Sequence, residues 1–137
     1  MVEFWTNDIE VIPNCFISIF MNVSTGEYKV FEISKRKQEF RELHNFFYDN
    51  PKSKVIIGYN INGYDMVIQE AMFSNYYVFC EANYDTITSF AYKISSTITD
   101  RDNPKANIVK KQYMERSKIK TIDLMTLLFA PKLQASL

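Results

Sequence analysis

The hydrophobic period of this chain changes near Ser34, and that change constrains the fold more than any other feature. Before it, apolar residues run continuously or alternate; after it, they recur at helical spacing. Val2 to Thr6 is short, apolar and β-prone, and predicts a strand that stops at Asn7-Asp8. Cys15 to Val23 predicts a second strand, too continuously apolar to have one fully exposed face. Ser24-Thr25-Gly26-Glu27 is a turn, and Tyr28 to Ile33 alternates as a third strand, so the chain opens as a hairpin-connected sheet.

From Phe40 the pattern is helical: Phe40, Leu43 and Phe47 share one stripe, Ser34 is the expected cap, and Asp49-Asn50-Pro51 is the stop. Lys54 to Tyr59 reads as a buried central strand, Asn60 to Gly63 as a loop, and Tyr64 to Phe73 as a helix. Asp85 to Thr99 carries Ile87, Phe90, Ala91, Ile94 and Ile98 at helical spacing. The polar stretch from Asp100 to Lys118 predicts an excursion or long loop. Its basic residues, Lys105, Lys110, Lys111, Arg116 and Lys118, fit a solvated loop better than a strand-guiding arm. Lys118 to Asp123 is a short strand, followed by a helix that Pro131 interrupts. Alternating strands and helices after a hairpin predict one α/β domain over 1–137 with a mixed sheet.

Composition excludes several classes. At 137 residues with a net charge of +0, the chain is one domain long and carries no strongly basic footprint. That does not exclude nucleic acid, since nucleases hold substrate partly through metal ions. Cys15 and Cys80 sit beside apolar residues and read as reduced core thiols. No segment has the length and apolarity of a membrane helix or a signal peptide, so a cytoplasmic location is expected, in a host cell if the source is viral.

Two places concentrate chemistry. Asp8 and Glu10, two apart in an extended segment, point to the same side. Two carboxylates so placed repel each other, which suits a hard cation such as Mg²⁺ or Mn²⁺ better than a core; read alone, the pair is two solvated carboxylates at a strand end. Asp65 follows a buried strand and a polar turn, at a helix start; read alone, it is a helix cap. If the two strands are neighbours, Asp8, Glu10 and Asp65 converge. Asp123 is a further carboxylate, with a cap or lysine partner as its plainer role. His44, the single histidine, lies away from both places and reads as a surface or core residue.

These segments resemble DEDD-type (DnaQ-like) 3′–5′ exonuclease domains, as in the proofreading regions of phage DNA polymerases, including protein-primed family B members. Asn7-Asp8-Ile9-Glu10 resembles the first motif of that family. Gly58-Tyr59-Asn60 through Tyr64-Asp65 resembles the second, and Lys120-Thr121-Ile122-Asp123-Leu124 a further family segment. The resemblance implies a ribonuclease H-like fold, a mixed sheet flanked by helices. It implies a two-metal site of Mg²⁺ or Mn²⁺ in which Asp8 bridges both ions, Glu10 holds the one that activates water, and Asp65 the other. It implies that Asn60 or Asn62 orients the 3′ end of a single DNA strand, with Tyr59, Tyr64 or Phe16 stacking on terminal bases, although core packing is the plainer role of each aromatic taken singly. A third motif, a Tyr or His followed by an Asp, is expected beyond Leu137, because Lys132 to Leu137 resembles the run before it. The chain is then expected to be the first part of a longer polymerase or exonuclease. The alternatives are a catalytically incomplete module of the same fold that binds nucleic acid or protein, and an ordinary α/β interaction domain.

Overall fold

The computed structural model describes residues 1–128. Five strands form one sheet: β1 (Glu3–Ile12), β2 (Cys15–Asn22), β3 (Tyr28–Ile33), β4 (Lys54–Gly58) and β5 (Lys120–Asp123), in the order β3-β2-β1-β4-β5. The pairs β1–β2 and β2–β3 are antiparallel, and β1–β4 and β4–β5 are parallel. With its flanking helices, this mixed sheet is a ribonuclease H-like α/β fold.

The first strand differs from its expectation. It runs unbroken to Ile12, so Asp8 and Glu10 lie within a strand, not after its end. The reason is tertiary: β2 pairs with β1 from Trp5↔Asn22 to Ile12↔Cys15 and holds the polar residues extended. Pairing with β4 ends much earlier, at Thr6↔Ile57. Beyond Thr6, β1 therefore has a neighbour on one side only, and a crevice opens where β4 turns away.

Alternation assigns the faces. Trp5, Asn7 and Ile9 of β1 and Phe16, Ser18 and Phe20 of β2 are buried on one side. Asp8 and Glu10, with the half-exposed Ile17 and Ile19, occupy the other. The buried side meets the helices. These are α1 (Phe40–Tyr48), α2 (Asp65–Phe73), the single turn α3 (Tyr76–Phe79), α4 (Tyr84–Thr99) and α5 (Ala106–Arg116). α1 buries the expected stripe of Phe40, Leu43 and Phe47, but its N-cap is Glu39, and Ser34 instead bonds within the preceding turn. α2 is buried along all nine residues, because α4 and α5 pack over it. α4 also crosses β1, β2 and β3.

α5 is the longest element the sequence pattern misses; the single turn α3 is another. Its burial is confined to Ala106, with Val109, Tyr113 and Met114 packed at the core margin, so no strong apolar stripe announces it. It forms because its neighbours, α2 and α4, supply the surface. Residues 124–128 are helical, as expected after Asp123. The expected break at Pro131 and the run Lys132–Leu137 lie outside the described residues. Cys15 and Cys80 are free and half-buried. Among the described residues, no helix is long and apolar enough to cross a membrane.

Candidate active site

Past Thr6, the backbone of β1 faces the crevice without a strand partner. A buried N–H left unpaired there costs about 1–3 kcal/mol. Asp65, the first residue of α2, supplies the acceptor: its carboxylate accepts the Ile9 N–H at 3.2 Å. The N-cap position belongs to Tyr64, so Asp65 does not serve as a helix cap. Its side chain ties the helix start to the exposed edge of β1, one residue from Asp8.

A second tether holds α2 against the sheet. Gln69 donates to Asn7 Oδ1 at 2.8 Å and to the Asp65 carbonyl at 3.1 Å. Ser18 donates to Gln69 Oε1 at 2.6 Å, and Asn7 donates to Ser18 Oγ at 3.0 Å and the Ile19 carbonyl at 3.1 Å. All three side chains are buried, and their bonds close a loop between β1, β2 and α2. Sequence reasoning missed this triad. The available signal was phase: Asn7 and Ser18 stand at inward positions among Trp5, Ile9, Phe16 and Phe20, where a polar group needs a partner.

Asp123, at the end of β5, faces the loop between β4 and α2. Its carboxylate accepts the N–H groups of Asn60 at 2.9 Å, Asn62 at 3.0 Å and Met125 at 3.0 Å. It thus fixes the loop between β4 and α2 and starts the helix at 124–128. Asn60 adopts a left-handed backbone with φ 55, and its side-chain oxygen leaves no room for a Cβ at Gly63, 2.3 Å away. The Asn62 side-chain oxygen accepts the Thr121 hydroxyl at 2.6 Å. Asn60 is therefore the half-exposed amide of the pair that faces the loop interior, and Asn62 braces β5.

The candidate base-stacking aromatics separate cleanly. Tyr59 is 56% exposed beside this loop. Tyr64 is half-buried, its hydroxyl 2.8 Å from Ser95 Oγ of α4. Phe16 is fully buried in the core: its inward phase on β2 packs it there and removes it from any ligand, so it takes the plainer of its two expected roles. His44 is at the other end of the fold, against the rings of Tyr48, Phe73 and Tyr76, and burial lowers its basicity.

Electrostatics marks the crevice as acidic. Asp65 is pushed up to about 6, first by burial, then by the charges of Asp8 and Asp123 against the opposing pull of the N–H bonds. None of Asp8, Glu10 and Asp65 has a salt-bridge partner among the described residues. All-oxygen donors with uncompensated charge suit Mg²⁺ or Mn²⁺. However, no group of three acidic, histidine or cysteine side chains among the described residues is gathered closely enough to hold a metal ion. Asp65 stands within electrostatic reach of Asp8 and Asp123, while Glu10 lies one strand repeat further along the open face. No protein-family model and no curated protein matches the chain.

Proposed function

We propose that this chain is a metal-dependent 3′–5′ exonuclease domain of the proofreading kind, acting on the end of a single DNA strand as part of a phage DNA polymerase. The observation that supports it most is the bond between Asp65 and the Ile9 N–H. It sets a buried carboxylate beside Asp8 where β1 loses its β4 neighbour. Acidic side chains from two distant segments then face one crevice at the ends of parallel strands.

In this reading, Asp8 and Asp65 hold the cation, and Glu10, exposed on the same side of β1, supplies a further oxygen from the solvent side. Bound Mg²⁺ or Mn²⁺ supplies charge stabilisation for the attacking and leaving oxygens of a displacement at phosphorus. Substrate phosphate and water would supply the remaining oxygens, as is usual for Mg²⁺. The chain itself contributes orientation. Asp123 fixes the loop that carries Asn60 and Asn62, and exposed Tyr59 offers a face on which a terminal base stacks.

A second reading is a nucleic-acid-binding or protein-interaction module that keeps the fold without full catalysis. It is favoured by the lack of a three-ligand group among the described residues. One experiment separates the two. Mn²⁺ is titrated into the chain by calorimetry, alone and with a 5′-labelled single strand, and the label is followed for shortening from the 3′ end. The exonuclease reading expects Mn²⁺ binding that disappears in Asp8→Ala, and a ladder of shortened products reduced at least about a hundredfold in that variant. Strand binding without metal-dependent shortening supports the module instead.

A further inference from the structure

At the same end of the sheet as the carboxylates, the turn after β3 carries three consecutive cations, Lys35, Arg36 and Lys37, all exposed. Cross-strand register connects the two places directly. Glu10 is opposite Ile17, and Ile17 is opposite Glu32, so the three residues form one row across the open face of β1, β2 and β3. Two strand spacings make that row about 10 Å long. Between Ile17 and the turn is a hollow of about 410 Å³, lined by Cys15, Ile17, Glu32, Lys35 and Arg36 among others. Ile17 and Ile19 are half-exposed and Val30 is exposed, which gives this path an apolar floor.

The turn is built to stay in place. Arg36 grips Glu32 with two bonds of 2.7 Å each, and Ser34 also donates to Glu32. Those contacts hold the Glu32 carboxyl down at about 2, so it remains ionised and paired with Arg36. Arg36 thereby neutralises the one acid in the hollow. Lys35 and Lys37 have no ion-pair partner among the described residues. A fixed turn with two uncommitted ammonium groups, next to an apolar path leading to carboxylates, matches a polyanion with flat apolar groups.

We propose that Lys35 and Lys37 bind backbone phosphates of a single-stranded nucleic acid whose end lies at Asp8 and Asp65, the strand crossing the open face of β2 and β3. This rests on the nuclease reading of the carboxylates for its direction, and on the turn itself for its contacts.

The test is binding of a fluorescent oligo-dT of ~12 nucleotides to the full chain in EDTA, by anisotropy over a salt series. The variant is Lys35→Gln/Lys37→Gln. Its control is Lys52→Gln/Lys118→Gln, which removes the same charge before β4 and β5, at the far end of the sheet. The turn variant is expected to lose roughly tenfold in affinity at low salt. Its salt slope should flatten by about 1.4, two phosphate contacts on a single strand. The control pair should change neither, and Lys35→Arg/Lys37→Arg should restore both. Equal losses in the two glutamine pairs, no loss in the turn variant, or no strand binding by the unaltered chain would each overturn the proposal. Mn²⁺ binding is read separately. A chain that binds no metal but depends on Lys35 and Lys37 keeps this inference and loses the nuclease reading. A chain that binds metal through Asp8 but ignores the lysine change does the opposite.

Discussion

Asp65 and Glu70 lie five residues apart on one helix, and both are buried, at 7% and 6% exposure. Burial raises both carboxyls above the ordinary range. Their partners differ. The Tyr48 hydroxyl donates its one proton to the Glu70 carboxylate, both of whose oxygens lie within hydrogen-bond distance, and no acid is among the causes of the Glu70 shift. Burial, and after it the Glu70 carboxylate, push Tyr48 upward in turn. Asp65 accepts one backbone N–H and faces two more acids, Asp8 and Asp123. The first is a closed arrangement that holds α1 to α2. The second is an open one that a cation would relieve. Burial alone does not distinguish a structural acid from a candidate ligand; the signs of the surrounding charges do.

The comparison breaks if the two acids respond alike to substitution. Glu70→Ala strands the Tyr48 hydroxyl and leaves a void, and is expected to cost about 2–4 kcal/mol in urea denaturation. Glu70→Gln should recover most of that loss.

Asp65 should instead reveal itself through pH. Its folded-state value, about 6, lies above that of an ordinary carboxyl. The stability it contributes is therefore fully present below the unfolded value near 4. It is lost as pH rises through about 6, by at most ~3 kcal/mol. Melting curves of the unaltered chain and Asp65→Asn between pH 4 and 8 should diverge in that window. Saturating Mn²⁺ should shift the window downward if the metal binds Asp65. A difference that ignores pH would remove the charge argument.

Asn7→Ala sharpens the comparison from the sheet side. It removes a partner from Gln69 and Ser18 and should cost about 1–3 kcal/mol. It should also weaken Mn²⁺ binding, because α2 and Asp65 lose one of their two tethers to β1. A loss of stability with metal affinity unchanged would make the triad purely structural. The smallest effect is expected for Asp8→Ala. Its stability should stay within about 1 kcal/mol of the unaltered chain, on the favourable side, since an exposed like charge is removed. Unfolding of that variant would place Asp8 in the architecture and defeat its role as a ligand.

The change of period at Ser34 was enough to order most of the elements, since alternation and helical spacing are local properties of side-chain direction. The same rule put Asp8 and Glu10 on one side of β1 before any partner was known. Local pattern did not reach the end of β1. Asn7-Asp8 looks like a stop, and only pairing with β2 carries the strand on to Ile12. Nor did it reach α5, whose weak stripe needs α2 and α4 already in place.

The site divides the same way. Residue types and order single out Asp8, Glu10, Asp65 and Asp123 as candidates. Tertiary structure alone decided that Asp65 holds Ile9, that Asp123 clamps the loop at Asn60 and Asn62, and that Asn7, Ser18 and Gln69 lock together. The bonds made by Asp65, Asp123 and Gln69 in these groups join residues more than 50 positions apart. A sequence pattern specifies which way a side chain faces. Which group it meets depends on where the chain returns, and that is settled only when the sheet and helices close on one another.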